Sequence, residues 1–222
     1  MATKKQRTPA QEHRYELAAA IRARAESGYN IWLVRPPFET RDLVLSSDLQ
    51  FETFYLLEGE PCFKEIRYLP QWYKALTEGS SVNTCKEFAV VTTDTQETCT
   101  VRLRFEAESG AHAQSLRPID GVIHIDVGVL DGHLQRIENW RRIIPCVRRV
   151  QLSSTKAIEL QISTFVGRAK KVTLRELKHH FPEVEDGIFF GSVGILLRRR
   201  ELQADVDSYP WSLNTSVWSR PP

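Results

Sequence analysis

The chain has 222 residues, 41% apolar and 26% charged, with a formal net charge of +2. That is enough apolar residue for a sizeable core, and the charged share is ordinary for a globular protein. No apolar run approaches the ~20 residues a membrane span needs, and no hydrophobic stretch follows the basic start Met-Ala-Thr-Lys-Lys-Gln-Arg, so a cytoplasmic protein is expected. Cys62, Cys85, Cys99 and Cys146 stand far apart with no Cys-x-x-Cys, the pattern of reduced thiols.

The charge is unevenly spread. Residues 133–200 hold 14 Lys+Arg against 6 Asp+Glu, so the remainder of the chain is net negative. A basic half on a nearly neutral chain points to a polyanionic partner such as double-stranded DNA.

In chain order, residues 1–28 read as a polar tail and a helix over 11–27 that ends at Gly28. Asn30 to Val34 reads as a strand, stopped by Pro36-Pro37. Ser47 then caps an amphipathic helix, and Gln50 stands where a capping box places its returning side chain. Leu49, Phe54, Leu56 and Leu57 form its apolar side, and Glu52 and Glu58 ride with them. Gly59 suits a left-handed helix end, and Pro61 forbids continuation. Phe63 to Leu69 follows as a strand, with a continuation expected over 72–76.

Two strands, 86–93 and 98–107, flank a short connection at Asp94–Glu97. The second alternates, with Cys99, Val101, Leu103 and Phe105 on one face and Thr100, Arg102, Arg104 and Glu106 on the other. After a loop over 108–118, residues 120–130 read as a further strand. Residues 133–150 carry helical spacing that Pro145 is expected to kink or end.

Residues 153–222 read as a small separate module: a helix over 154–166, a second over 172–181 opened by the capping box Thr173-x-x-Glu176, a third over 183–200, and a ribbon from 201–206 and 211–218. Three helices and a two-stranded ribbon make the winged-helix plan. Gly187, Gly191 and Gly194 in the third helix do not form a phosphate loop, and no Rossmann, Walker or His-Glu-x-x-His motif occurs.

The helix with Leu57-Glu58, the short turn and the strand closing on Tyr-x-Pro resemble the opening of the TnsA-type heteromeric-transposase endonucleases. The similarity spans roughly residues 30–218 in the order of elements. It implies an α/β fold: a restriction-endonuclease-like mixed sheet with flanking helices over 29–152, then a winged-helix-like domain. It also implies a Mg²⁺-dependent centre built from a helix carboxylate, an acidic strand start and a Glu/Gln-x-Lys on the next strand. Carboxylates would hold the metal, which polarises the phosphate and activates water.

On this chain those positions fall at Glu52, Glu87 and Arg102-Leu103-Arg104. Glu52 and Glu87 are then the metal ligands, and Arg104 takes the place of the catalytic Lys. Arg102 puts a cation where a third ligand belongs, so the expected centre is divergent: a weak endonuclease or a pseudonuclease. An alternative placement uses Asp120 and Asp126 with His124 between them. The resemblance further implies binding to transposon-end DNA, a transposase partner and an AAA-type ATPase regulator.

Arg168, Lys170, Lys171, Arg175 and Lys178 around the module's second helix, and Arg198-Arg199-Arg200 ending its third, are the expected phosphate contacts. His179 and His180 suit the negative end of a helix dipole. The competing expectation is a non-enzymatic adaptor that binds DNA or docks on proteins.

Overall fold

The computed structural model describes residues 30, 32–69, 87–104 and 116–220. The helix expected over 11–27, the continuation at 72–76, Phe105 and Glu106, and Cys85 lie outside the described residues.

The described chain is mixed α/β. Strands β1 (Trp32–Val34) and β2 (Leu43–Leu45) pair antiparallel and lead into helix α1 (Asp48–Gly59). Strands β3 (Phe63–Tyr68), β4 (Glu87–Thr93), β5 (Thr98–Leu103) and β6 (Val122–Ile125) form a four-stranded sheet in that order. Its first two pairings are antiparallel and β5–β6 is parallel. Helices α2 (Val127–Asp131) and α3 (Leu134–Val150) follow, then α4 (Lys156–Ala169), β7 (Lys171–Thr173), α5 (Leu174–His180), α6 (Asp186–Arg198), β8 (Leu202–Ala204) and β9 (Ser216–Ser219). The last three strands form a sheet in the order β7-β9-β8.

The start of α1 follows local rules. The Ser47 hydroxyl accepts from the Gln50 amide at 3.3 Å. The Gln50 side chain returns one residue further back than a capping box requires, with Oε1 accepting from the Ser46 amide at 2.7 Å. At the other end Gly59 is the last helical residue and does not take a left-handed conformation. It is needed for space: a Cβ there would lie 2.4 Å from the Trp140 ring.

Two further expectations change. The strand expected over 120–130 stops at Ile125, because Asp126 turns the chain into α2 by accepting from the Val129 amide at 2.9 Å. Helix α3 runs through Pro145 without ending. Pro145 is exposed, so the carbonyl that loses its amide partner can bond to water instead.

One apolar core joins both halves of the chain, from Phe54, Phe88 and Ile123 to Leu174, Phe189 and Val217. The contact between α3 and α6 is made close by glycine. A Cβ on Gly191 would stand 2.3 Å from Val150 Cγ2 and 2.8 Å from the Cys146 carbonyl, and one on Gly194 would stand 2.6 Å from Val147 Cγ2. With an i, i+3 spacing these glycines share one face. Most of α6, Gly191 to Arg198, is consequently buried. Gly191→Ala should lower stability by about 1–3 kcal/mol, the usual cost of overpacking, read as a fall in the urea midpoint. An unchanged midpoint would mean that the two helices are not held this close.

Candidate functional site

The sheet end at the close of β5 carries the charged cluster. Glu87, the first residue of β4, stands opposite Arg102 on β5. Their side chains form an ion pair, Arg102 Nη2 to Glu87 Oε1 at 2.9 Å. Arg102 is in register with His124 on β6. Arg104, on the same side of the chain as Arg102 by the strand period, donates from Nε to His124 Nδ1 at 3.0 Å. This bond fixes His124 as an acceptor at Nδ1, with its proton on Nε2.

The donor set is wrong for Mg²⁺, which takes oxygen ligands. It offers one carboxylate that already faces a guanidinium, one imidazole nitrogen occupied by an arginine, and two cations. Among the described residues no group of three or more His, Cys, Asp or Glu is placed to hold a metal. Among the described residues Glu52 and Glu87 therefore gain no third ligand.

Glu52 belongs to a different neighbourhood. Burial holds its carboxyl above the usual range; Asp48, Asp131 and Glu138 push the same way, and Arg141 opposes them. These groups belong to α1, α2 and α3, and the guanidinium of Arg141 also lies 5.2 Å from the Phe51 ring. The alternative placement does not form either. Asp120 sits at φ 50 in the turn before β6, whereas Asp126 is buried as the cap of α2, so the two do not share a strand face with His124.

The expected phosphate contacts divide into two groups. Arg168, Lys170, Lys171 and Arg175 are exposed around β7 and α5. Lys171 Nζ lies 5.1 Å over the Trp218 ring, and Arg175 reaches Asn214 at 3.4 Å. The capping box that starts α5 is present, Thr173 Oγ accepting from the Glu176 amide at 3.2 Å and Glu176 Oε2 accepting from the Thr173 amide at 2.8 Å. Lys178 is half-buried and committed to Asp186 at 3.1 Å.

The arginine run at the end of α6 is a correction. Arg198 is buried and pairs through Nε with Glu58 on α1, which is 1% exposed and also accepts from the Tyr68 hydroxyl at 2.8 Å. Arg199 pairs with Glu159 at 2.7 Å. Arg200 donates to the Phe63 carbonyl at 2.9 Å. Burial, followed by the neighbouring Arg198, brings the Arg200 guanidinium down to about 10. Arg198 and Arg200 thus join one half of the chain to the other, whereas Arg199, 42% exposed at its side chain, pairs within the C-terminal part.

A second bridge lies beside the first. Arg136 on α3 pairs with Glu60 and, through two bonds of 2.7 Å, with Asp207. Asn139 accepts from the Trp211 amide at 2.7 Å and donates to the carbonyls of Val206, at 2.6 Å, and Tyr209, at 2.7 Å. Sequence reasoning missed these bridges. The available signal was Glu58 and Glu60 set among Leu56, Leu57 and Gly59, carboxylates on the apolar side of a helix end.

Comparison with protein-family models, with curated proteins and with solved structures yields no match. No helix among the described residues is long and apolar enough to cross a membrane.

Two outcomes follow from these charges. Glu58→Ala should cost about 3–5 kcal/mol by leaving Arg198 buried without its partner, and the double variant with Arg198→Met should recover part of it. Additive losses in this cycle would show that the pair is not coupled. Glu52 is favoured in its protonated form in the fold, so its contribution is present below the ordinary carboxylate range and is lost as pH rises through its raised value. Glu52→Gln should thus melt higher than the parent at pH 7, the gap closing as pH falls to the ordinary range. A gap that widened on acidification would contradict the shift.

Proposed function

We propose that this chain is a DNA-transposition protein on the TnsA plan whose nuclease-like core does not cleave. It would act in the cytoplasm, contacting transposon-end duplex while it docks on a transposase and an AAA-type ATPase regulator. The observation that carries the loss of cleavage is the Glu87–Arg102 pair, at the position where the resemblance puts two metal ligands. A guanidinium facing the carboxylate competes with a cation for it, and neither arginine can accept a proton.

Two features support the plan. A capped helix precedes a sheet with two antiparallel pairings and one parallel pairing, as a restriction-endonuclease-like core would have. The order helix, strand, helix, helix, strand, strand, with a three-stranded β7-β9-β8 sheet, supports a winged-helix-like C-terminal unit.

The burial of α6 directs the duplex contact elsewhere. In winged helices the third helix commonly enters the major groove, and here that helix lies against α3. The contact proposed is with backbone phosphates, through Arg168, Lys170, Lys171 and Arg175, which position a domain without reading bases. The same burial favours protein docking as the second reading, with the winged-helix-like unit acting as an adaptor.

With four phosphates neutralised, the salt slope is about −3.6, so raising salt from about 50 to 200 mM should weaken duplex binding by about two orders of magnitude. Lys170→Glu with Arg175→Glu should weaken binding at low salt and flatten the slope, and a labelled duplex should stay intact with Mg²⁺ or Mn²⁺. No duplex binding at the lowest salt would favour the adaptor. Metal-dependent cleavage that Glu52→Ala abolishes would overturn the non-cleaving core.

A further inference from the structure

We propose that His133 is an acid-sensitive latch on the segment that joins β8 to β9, and that protonating its ring frees this segment from α3. The inference does not rest on the transposition reading. It concerns one polar ridge of α3, away from the sheet-end cluster and from the exposed cations of α5.

His133 is the cap residue of α3, and Arg136 and Asn139 lie in the turns that follow. Steps of three place these side chains along one side of the helix. That ridge holds the β8–β9 segment. Arg136 grips Asp207 through two bonds of 2.7 Å. Asn139 donates to the carbonyls of Val206 and Tyr209 and accepts from the Trp211 amide at 2.7 Å. Trp211 in turn meets the Phe190 ring edge-on, with centroids 6.5 Å apart.

The surroundings of His133 oppose a positive charge. Its Nε2 is buried and has no hydrogen-bond partner among the described residues. A neutral imidazole can leave Nε2 as a bare acceptor, whereas the imidazolium makes it a donor. An unpaired charged group is far more costly to bury than a neutral one. His133 also makes no side-chain capping bond at the start of α3, the helix end where the dipole disfavours a cation.

The nearby carboxylates are committed. Arg136 comes from α3 itself, Glu60 from the end of α1 and Asp207 from the β8–β9 segment. Arg136 pairs with Glu60 and with both oxygens of Asp207. The other Glu60 oxygen accepts from the Cys62 thiol at 3.1 Å. Burial lowers the His133 imidazole below the ordinary histidine value, Arg136 adds to this, and Glu60 and Asp207 oppose it. A proton gained there repels Arg136 or draws a carboxylate away from it, and either weakens the grip on Asp207. The opened state takes the proton at the ordinary value and the closed state at a lower one. The closed form is therefore fully favoured above pH about 6.5 and loses stability as pH falls below it.

The test reads amide exchange of the full chain by NMR at pH 7.5 and 5.5, each rate divided by the chemical rate at the same pH. The Trp211 amide is the reporter, because its bond to Asn139 belongs to the latch. Its protection should fall on acidification in the parent and hold in His133→Gln, which stays neutral, while amides of β4 and β5 stay protected in both. Asp207→Asn should lower Trp211 protection already at pH 7.5. An equal fall in parent and His133→Gln would overturn the proposal, as would no fall in the parent. So would loss of β4 and β5 protection in step with Trp211, or undiminished protection in Asp207→Asn.

Discussion

The buried pair between Glu58 and Arg198 is the constraint on which the rest of the structure depends. It joins residues 140 apart in sequence, one at the end of α1 and the other at the end of α6. A carboxylate taken out of water is very costly unless a counter-charge and hydrogen bonds meet it. Here Arg198 supplies the charge and Tyr68 the second donor. A well-packed apolar pair could be as stable, so the pair's main effect is to dictate arrangement. Helix α1 must close against Trp140, which only Gly59 permits, and α6 must bring its last turn to α1, which requires it to lie along α3. The Glu60–Arg136–Asp207 bridge and the bonds of Asn139 then draw the segment between β8 and β9 onto the same junction.

This arrangement changes what the basic half of the chain offers a partner. Of the cations in 133–200, the buried Arg136 and Arg198 face Glu60, Asp207 or Glu58, and the exposed Arg199 faces Glu159. Arg149 and Lys178 pair at the surface with Glu185 and Asp186. The positive potential remaining for a polyanion is concentrated around β7 and α5, and is smaller than composition suggests. The buried stretch of α6 from Gly191 to Arg198, held against α3 by Gly191 and Gly194, offers no face to a groove of DNA.

What was legible in the sequence was local. The Ser47 cap, the alternation of β5 with Cys99, Val101 and Leu103 inward, the Thr173–Glu176 capping box and the three C-terminal helices follow from neighbours a few residues apart, whereas strand β7, which takes Lys171 to Thr173 into a three-stranded sheet, was not foreseen. The opposition of Glu87 and Arg102 was half legible: both residues were singled out, and their register appeared only with the sheet. What was not legible depended on distant partners. Arg198-Arg199-Arg200 reads as a phosphate-binding run because sequence does not reveal that Glu58, Glu159 and Phe63 meet it from elsewhere in the chain. Gly59 has the pattern of a helix-ending residue, yet its function is to leave room for an indole. Asp126 looks like part of a strand because its apolar flanks continue, and a single side-chain bond to Val129 turns it into a cap.

The central claim is that α6 is an interior helix fastened to α1 and α3, leaving duplex contact to the cations around β7 and α5. Native-state hydrogen exchange by mass spectrometry, with and without duplex DNA, tests it most directly. The account predicts that amides of 189–198 exchange only with global unfolding in the free protein and are unchanged by duplex, while those of 168–179 slow when duplex is added. Fast exchange of 189–198 in the free protein, with protection arriving only on DNA binding, would contradict it.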